Sequence, residues 1–398
     1  MDKHSYEPTD FSIVLGGPLF QLLLRLGLIT PSLGLLKKRI TVITLFAWLP
    51  PLLFSIVDGK AWTTNGMSFL HDMEAQTRLL VALPLLIAAE LLVHTRLRLI
   101  VGQFIERDIV TNQMLPRFRE LIASAIKFRN SMSVELVLLL VTFIGGHYLS
   151  NTVSILEKIP PNTESWYATN DSAGKHLTLA GYWYFFIGRP LFQFILFRWY
   201  FRIFVWIRFL WQTAQLDLKL IATHPDHACG LGFLATSVIA FIPLTVAHGT
   251  LLAGLIGNAI FFTGAKLPDF MILILGIALF LQLIVLGPLV VFARNLVRAK
   301  LTGLREYGTL ASEYTNEFDR KWVHKRVPEH GPLLGSSDIQ SLADIGNSFQ
   351  VVRNIQPFPF NKNSVIQLVL FTLIPLVPLM LTMIPLEELI KKLLGVVL

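Results

Sequence analysis

The chain has 398 residues, of which 53% are hydrophobic and only 15% are charged. Soluble domains carry about 25% charged residues; this composition, with a mean hydropathy of +0.59, excludes an ordinary soluble globule. The apolar runs are continuous rather than alternating, which excludes a transmembrane β-barrel and predicts an all-α polytopic membrane protein. The net charge of +8 comes with no nucleic-acid motif. In a membrane chain it reflects lysine and arginine gathered on one side. A single cysteine, Cys229, excludes an intrachain disulfide framework.

The first ten residues are polar and mixed in charge, without the short apolar core of a cleavable signal. Residues 1–39 are expected to form a cytoplasmic or interfacial segment. Within it, the run from Phe11 to Ile29 carries Gln21, Arg25 and an internal Gly-Gly-Pro, which suits a helix lying in the interface.

Residues 40–293 are expected to hold six spans: Ile40–Ile56, Leu79–Val93, Val134–Tyr148, Leu177–Leu196, Leu231–Leu252 and Phe270–Phe292. A helical hairpin is expected near residues 94–133, with Pro116 opening its second arm. Residues 294–364 read as a cytoplasmic helical domain. Val297, Leu301, Leu304, Ala311, Phe318 and Trp322 form a near-heptad stripe there. That stripe has to pack on a neighbouring helix or on a second copy, which makes residues 294–323 a candidate homo-oligomer contact. Ser337 and Gln340 read as a capping box at the start of another helix. Residues 365–398 hold a seventh segment, Val365–Met383, spanning or re-entrant, and an amphipathic tail.

The segments assigned to one side carry 26 Lys and Arg against 15 Asp and Glu; the other side has 5 against 7. The positive-inside rule places the first set, and the N-terminus, in the cytoplasm of what reads as a bacterial inner membrane, with the C-terminus outside.

Ionisable groups inside spans are costly and mark function by default. The candidates are Glu90, Glu135, His147, Arg189 and His248. Arg189 is the deepest. It lies between Gly188 and Pro190, where a broken backbone beside a cation suits an anion pathway; the alternative is an ion pair with Glu90 or Glu135. His147 and His248 are both expected in the outer half of the membrane. Arg198, Arg202 and Arg208 alternate with Trp and Tyr, as headgroup anchors do, and also fit a lipid phosphate.

The stretch Thr223–Gly232 reads THPDHACGLG. His224, Asp226, His227 and Cys229 are zinc-ligand types, but their spacing matches no known ligand pattern. Thr223 with Asp226 reads instead as a capping box opening the fifth span, with Gly230 and Gly232 as a close-packing face. A free helix N-terminus beside His224 and His227 would then suit an anion.

Two functions fit this pattern. One is an ion channel, most simply for anions, or a small-solute transporter, with Arg189 in its pathway. The other is a membrane-embedded enzyme acting on a lipid-linked or phosphate-bearing substrate; no nucleotide loop, HExxH or GxSxG motif supports it. A membrane scaffold or sensor is a third class. No cofactor motif is present, and the only partners implied are the bilayer and a second copy of the chain.

Overall fold

A computed structural model describes residues 11–62, 66–149, 165–171, 174–324 and 337–383. It is mostly helical, with six helices long and apolar enough to cross a membrane. They are α2 (Leu36–Val57), α3 (Met73–Glu106), α6 (Leu179–Thr213), α7 (Ile242–Thr263), α8 (Leu267–Val290) and α11 (Lys362–Met383). The remaining elements are α1 (Pro18–Arg25), α4 (Leu115–Arg129), α5 (Met132–Leu149), α9 (Ala293–Phe318), α10 (Ser337–Arg353) and a hairpin of β1 (Ala168–Asp171) and β2 (Gly174–Leu177). The hairpin pairs antiparallel, with Ala168 opposite Leu177. Helix α5 is apolar but shorter than the six in its described side chains.

Helices α3, α6 and α7 form the centre of the bundle, and α2, α8 and α11 lie outside them with more of their surface uncovered. The core is large and aromatic. Phe104, Phe118, Trp199, Trp206 and Phe209 are all buried. Such side chains cannot be displaced cheaply, since removing one from a packed core costs about 3–5 kcal/mol. Close approach of α7 to its neighbours depends on glycine: a Cβ at Gly249 would meet the Thr372 carbonyl oxygen at 2.1 Å, and one at Gly254 would meet Thr77 Oγ1 at 2.0 Å. Small residues thus set helix spacing, as in other membrane bundles.

Several expectations shift. The fifth span begins at Ile242, not Leu231; residues Gly232–Thr236 form a 3-10 turn and Ser237–Ala240 a short helix leading into it. Pro243 explains this, because it fits the first turn of a helix and not its interior. The run Phe11–Ile29 contains one eight-residue helix, α1. Its leading residues are pinned at the basic end of the bundle, where Phe11 packs on Phe209 at 4.6 Å and Trp206 at 5.9 Å between ring centroids. Helix α11 is interrupted by a 3-10 turn at Ile374–Leu376, between Leu373 and the Pro378 turn. Missing proline N–H groups break the ladder there.

At the basic end, α10 folds back along α9. Tyr314 donates to the Asp338 carbonyl oxygen at 3.0 Å, and the Asp338 carboxylate takes Lys321 at 2.6 Å and Trp322 at 3.0 Å. This covers the face of α9 that holds Gly303 and Gly308. Val297 and Leu301 of the sequence stripe stay exposed, at 43% and 64%.

Candidate functional site

Two polar layers cross the bundle, the first buried and the second half-buried. The first lies toward the basic end and joins five elements. Glu90, midway along α3, ion-pairs with Arg39 of α2 at 3.0 Å and with Arg202 of α6 at 2.7 Å. Glu135, in the first turn of α5, takes Arg198 of α6 at 3.0 Å and the backbone N–H of Leu19 in α1 at 2.8 Å. Arg198 and Arg202 are one turn apart, so both guanidiniums reach the same side of α6. Arg39 is only 1% exposed and also donates to the Ile87 carbonyl at 3.3 Å. Arg202 stacks 5.0 Å from the Trp199 ring, whose indole N–H is held by Leu86 O at 2.9 Å.

This arrangement corrects two sequence expectations. Arg198 and Arg202 do not reach out to headgroups; they are 6% and 4% exposed and face inward. An inward carboxylate offers a stronger partner than the interface, and both arginines have one. Glu90 and Glu135 are thereby occupied, and neither pairs with Arg189. Arg208, two turns further on, bonds Ser124 at 3.1 Å and lies over the Phe128 ring at 5.2 Å.

The second layer lies in the other half. Both α3 and α6 contain a π-helical turn, at Thr77–Ala82 and Tyr184–Gly188. Such turns widen the helix and are frequent at functional sites. They meet: Arg78 hydrogen-bonds the Tyr184 hydroxyl and ion-pairs with Glu74 one turn earlier. Arg189 follows the second π turn directly. It is half-buried, lies 6.0 Å over the Phe185 ring, and sits within electrostatic range of Arg78, Tyr184 and Glu74. Among the described residues it has no ion-pair partner. Below this layer, Asp72 accepts from Ala75 N, Asn258 Nδ2 and Trp166 Nε1 at 2.8–3.0 Å, which ties α3, α7 and the hairpin region together.

His248 lies in the second turn of α7 and bonds Tyr200 at 2.7 Å through Nε2 and the Leu244 carbonyl at 2.7 Å through Nδ1. A carbonyl only accepts, so Nδ1 carries the proton and Nε2 of the neutral ring accepts from the tyrosine. Tyr200 sits between Arg198 and Arg202 in α6, so His248 belongs to the basic half, not the outer one. The shift of the span start by eleven residues accounts for the difference. The His147 side chain lies outside the described residues.

The stretch Thr223–Gly232 is a compact loop built around one carboxylate. Asp226 accepts from the backbone N–H groups of Ala228 at 2.9 Å, Gly230 at 3.1 Å and Gly232 at 2.8 Å, and contacts His224 Nδ1 at 2.9 Å. His227, Cys229 and Gly230 all have left-handed backbone, at φ of 53°, 56° and 97°. The loop is therefore a nest of N–H groups with its own aspartate inside. Burial alone would raise the Asp226 carboxyl, but the three N–H donors and His224 bring it below the ordinary carboxylate range. Asp226 is not a cap for the fifth span. Gly232 is tied to the loop too: a Cβ there would lie 2.8 Å from Asp226 Oδ2.

An external anion has no place in that nest, because a carboxylate already fills it. Cys229 is 1% exposed, and burial together with Asp226 pushes its thiol up to about 12. A thiol that stays protonated is a poor zinc ligand. Among the described residues, no three His, Cys, Asp or Glu side chains converge as a metal site. The loop is docked on its surroundings: the His227 carbonyl accepts from Gln356 N at 2.8 Å, and Thr223 meets the Tyr307 hydroxyl at 3.4 Å.

Arg39, Glu74, Arg78 and Tyr184 escaped the sequence reading. Arg39 and Arg78 each stood one residue outside a span whose limit had been drawn at the charge itself. Glu74 and Arg78 at i, i+4 were the available signal.

No family model matches the chain, and neither the curated proteins nor the solved structures compared with it give a match.

Proposed function

We infer that the chain forms a transport pathway, as a carrier or channel, for a small solute bearing a carboxylate or another anionic group. One observation carries this reading: Arg189, inside a membrane-crossing helix, has no carboxylate partner among the described residues and stands beside Arg78 at the junction of two π turns. A buried cation that is paired contributes to packing; one left over is held for something that arrives. The broken helix α11 and the π turns in α3 and α6 supply the irregular backbone that transport proteins place around a substrate path. The same reading takes α5 as a seventh span, the basic end as cytoplasmic, and the exposed Val297 and Leu301 as a contact between copies.

The test is flux of chloride, phosphate, acetate and phenylalanine in proteoliposomes. Arg189→Ala should reduce flux of the transported anion by about tenfold or more, with Arg189→Glu more severe, while thermal unfolding in detergent stays unchanged. Unaltered flux in both variants overturns the assignment of Arg189 to the pathway. Absence of flux in the native protein for every solute overturns the transport reading.

A further inference from the structure

At the end of the bundle away from the basic side, the lining of an open cavity of about 420 Å³ includes Asp58, Lys60, Leu177, Thr178, Leu179 and Tyr182. Its size lies within the ~300–1,000 Å³ range of small-molecule sites. Each wall is a helix end with a defined cap. The sequence VDGK ends α2 in a Schellman motif: Gly59 N donates to Ile56 O at 3.1 Å, Lys60 N to Ser55 O at 2.7 Å, and Gly59 takes φ 67°. Asp58 and Lys60 flank that glycine, and the motif sets their backbone. Opposite, Thr178 caps α6, accepting from Gly181 N at 3.0 Å and donating to Trp166 O at 2.7 Å.

The two charges do not satisfy each other. Among the described residues neither Asp58 nor Lys60 has an ion-pair partner, and the Lys60 ammonium is shielded from solvent with no hydrogen-bond partner. A shielded ammonium with three unfilled donors is a costly arrangement unless an acceptor arrives. A carboxylate at the same rim disfavours a simple anion. The ligand that uses both is one carrying both charges. Leu177, Leu179 and Tyr182 add an apolar wall.

We propose that this cavity is an outer binding site for a zwitterion with an apolar side group, of the chemical class of an aromatic or aliphatic α-amino acid. Its carboxylate faces Lys60, its ammonium faces Asp58, and its side group lies against Leu179 and Tyr182. Tyr182 stacks on Phe186 at 6.0 Å, within the π turn that precedes Arg189. Seven residues of helix separate Tyr182 from Arg189, ~10 Å along the axis. The assignment rests on the transport reading for its purpose, but binding can be measured without transport.

The experiment is scintillation-proximity binding of tritiated phenylalanine to the purified full chain in detergent micelles. Two competitors each lack one charge: 3-phenylpropionate has no ammonium, and phenethylamine has no carboxylate. Saturable binding is expected, with each competitor at least about tenfold weaker than unlabelled phenylalanine, the usual scale for a lost charge-assisted contact. Asp58→Asn and Lys60→Met should each weaken binding about tenfold with the unfolding midpoint unchanged. No saturable binding overturns the proposal. Equal competition by 3-phenylpropionate overturns it in favour of a plain anion site, and full binding by Lys60→Met removes the residue on which it turns. The competition arm uses the native chain and so does not depend on either variant folding. Binding without flux would retire the transport reading alone; flux without binding would retire this site alone.

Discussion

The two polar layers of the bundle use the same residue types to opposite ends. In the basic-side layer, each carboxylate is filled: Glu90 has two arginines, and Glu135 has an arginine and a backbone N–H. In the π-turn layer, Glu74 is engaged by Arg78, and Arg189 is left over. A closed network behaves as a clasp. It joins α1, α2, α3, α5 and α6, and each of its arginines stands against a carboxylate. An open one carries charge without a fixed partner, which is a cost in stability and an opportunity for recognition.

That contrast can be broken experimentally. The largest effect is expected from Glu90→Gln, which strips the partner from two buried guanidiniums. Removing one side of a buried pair typically costs 3–5 kcal/mol, so a loss of about that size is expected in the free energy of unfolding in detergent. If Glu90→Gln unfolds like the native chain, the clasp is not a clasp.

The Asp226 loop is the next test. Asp226→Ala leaves three part-buried backbone N–H groups without their acceptor and should cost about 2 kcal/mol. Its pH dependence has a defined sign. The folded carboxyl lies below the ordinary value of 3.8 that it regains on unfolding. Its contribution is therefore complete well above that value and is lost as pH falls through the depressed folded value. The stability gap between the native chain and Asp226→Asn, measured by unfolding from neutral to acid pH, should be constant above about pH 5 and close below about pH 4. A gap that widens in acid would contradict the N–H nest.

Gly59→Ala puts a Cβ on left-handed backbone at the end of α2 and should cost roughly 1 kcal/mol. It should also weaken phenylalanine binding, since Asp58 and Lys60 lose their fixed spacing. The smallest stability effect belongs to Arg189→Ala, within about 0.5 kcal/mol of native, because no described carboxylate is orphaned. A large destabilisation there would move Arg189 from the open layer into the closed one.

Much of the frame was legible in the chain itself. Long apolar stretches have one physical solution in a bilayer, and the helices α2, α3, α6, α7, α8 and α11 follow from it. Glu90, Glu135 and Arg189 were visible because a charge inside such a stretch is expensive wherever it points. Their partners were not visible. Arg39 and Arg78 sat at the margins of the apolar runs, and hydropathy places a limit at a charge whether the helix stops there or continues. The π turns have no composition signature, because they arise from how two helices pack.

THPDHACGLG shows the same division. Its residue types pointed to a cap with a glycine packing face, left an anion cradle open, and named a metal site only against their spacing. Which backbone N–H groups converge depends on three consecutive turns of left-handed and bent chain, and those are decided by docking against α9 and Gln356. The sequence by itself determined that this protein lives in a membrane, which face is basic, and which charges must find partners. Only the tertiary structure decided the partners, because pairing is a matter of which helices lie side by side and at what height. The consequence is that Arg198 and Arg202 are spoken for, Asp226 occupies its own cradle, and Arg189 keeps a charge with no carboxylate partner among the described residues.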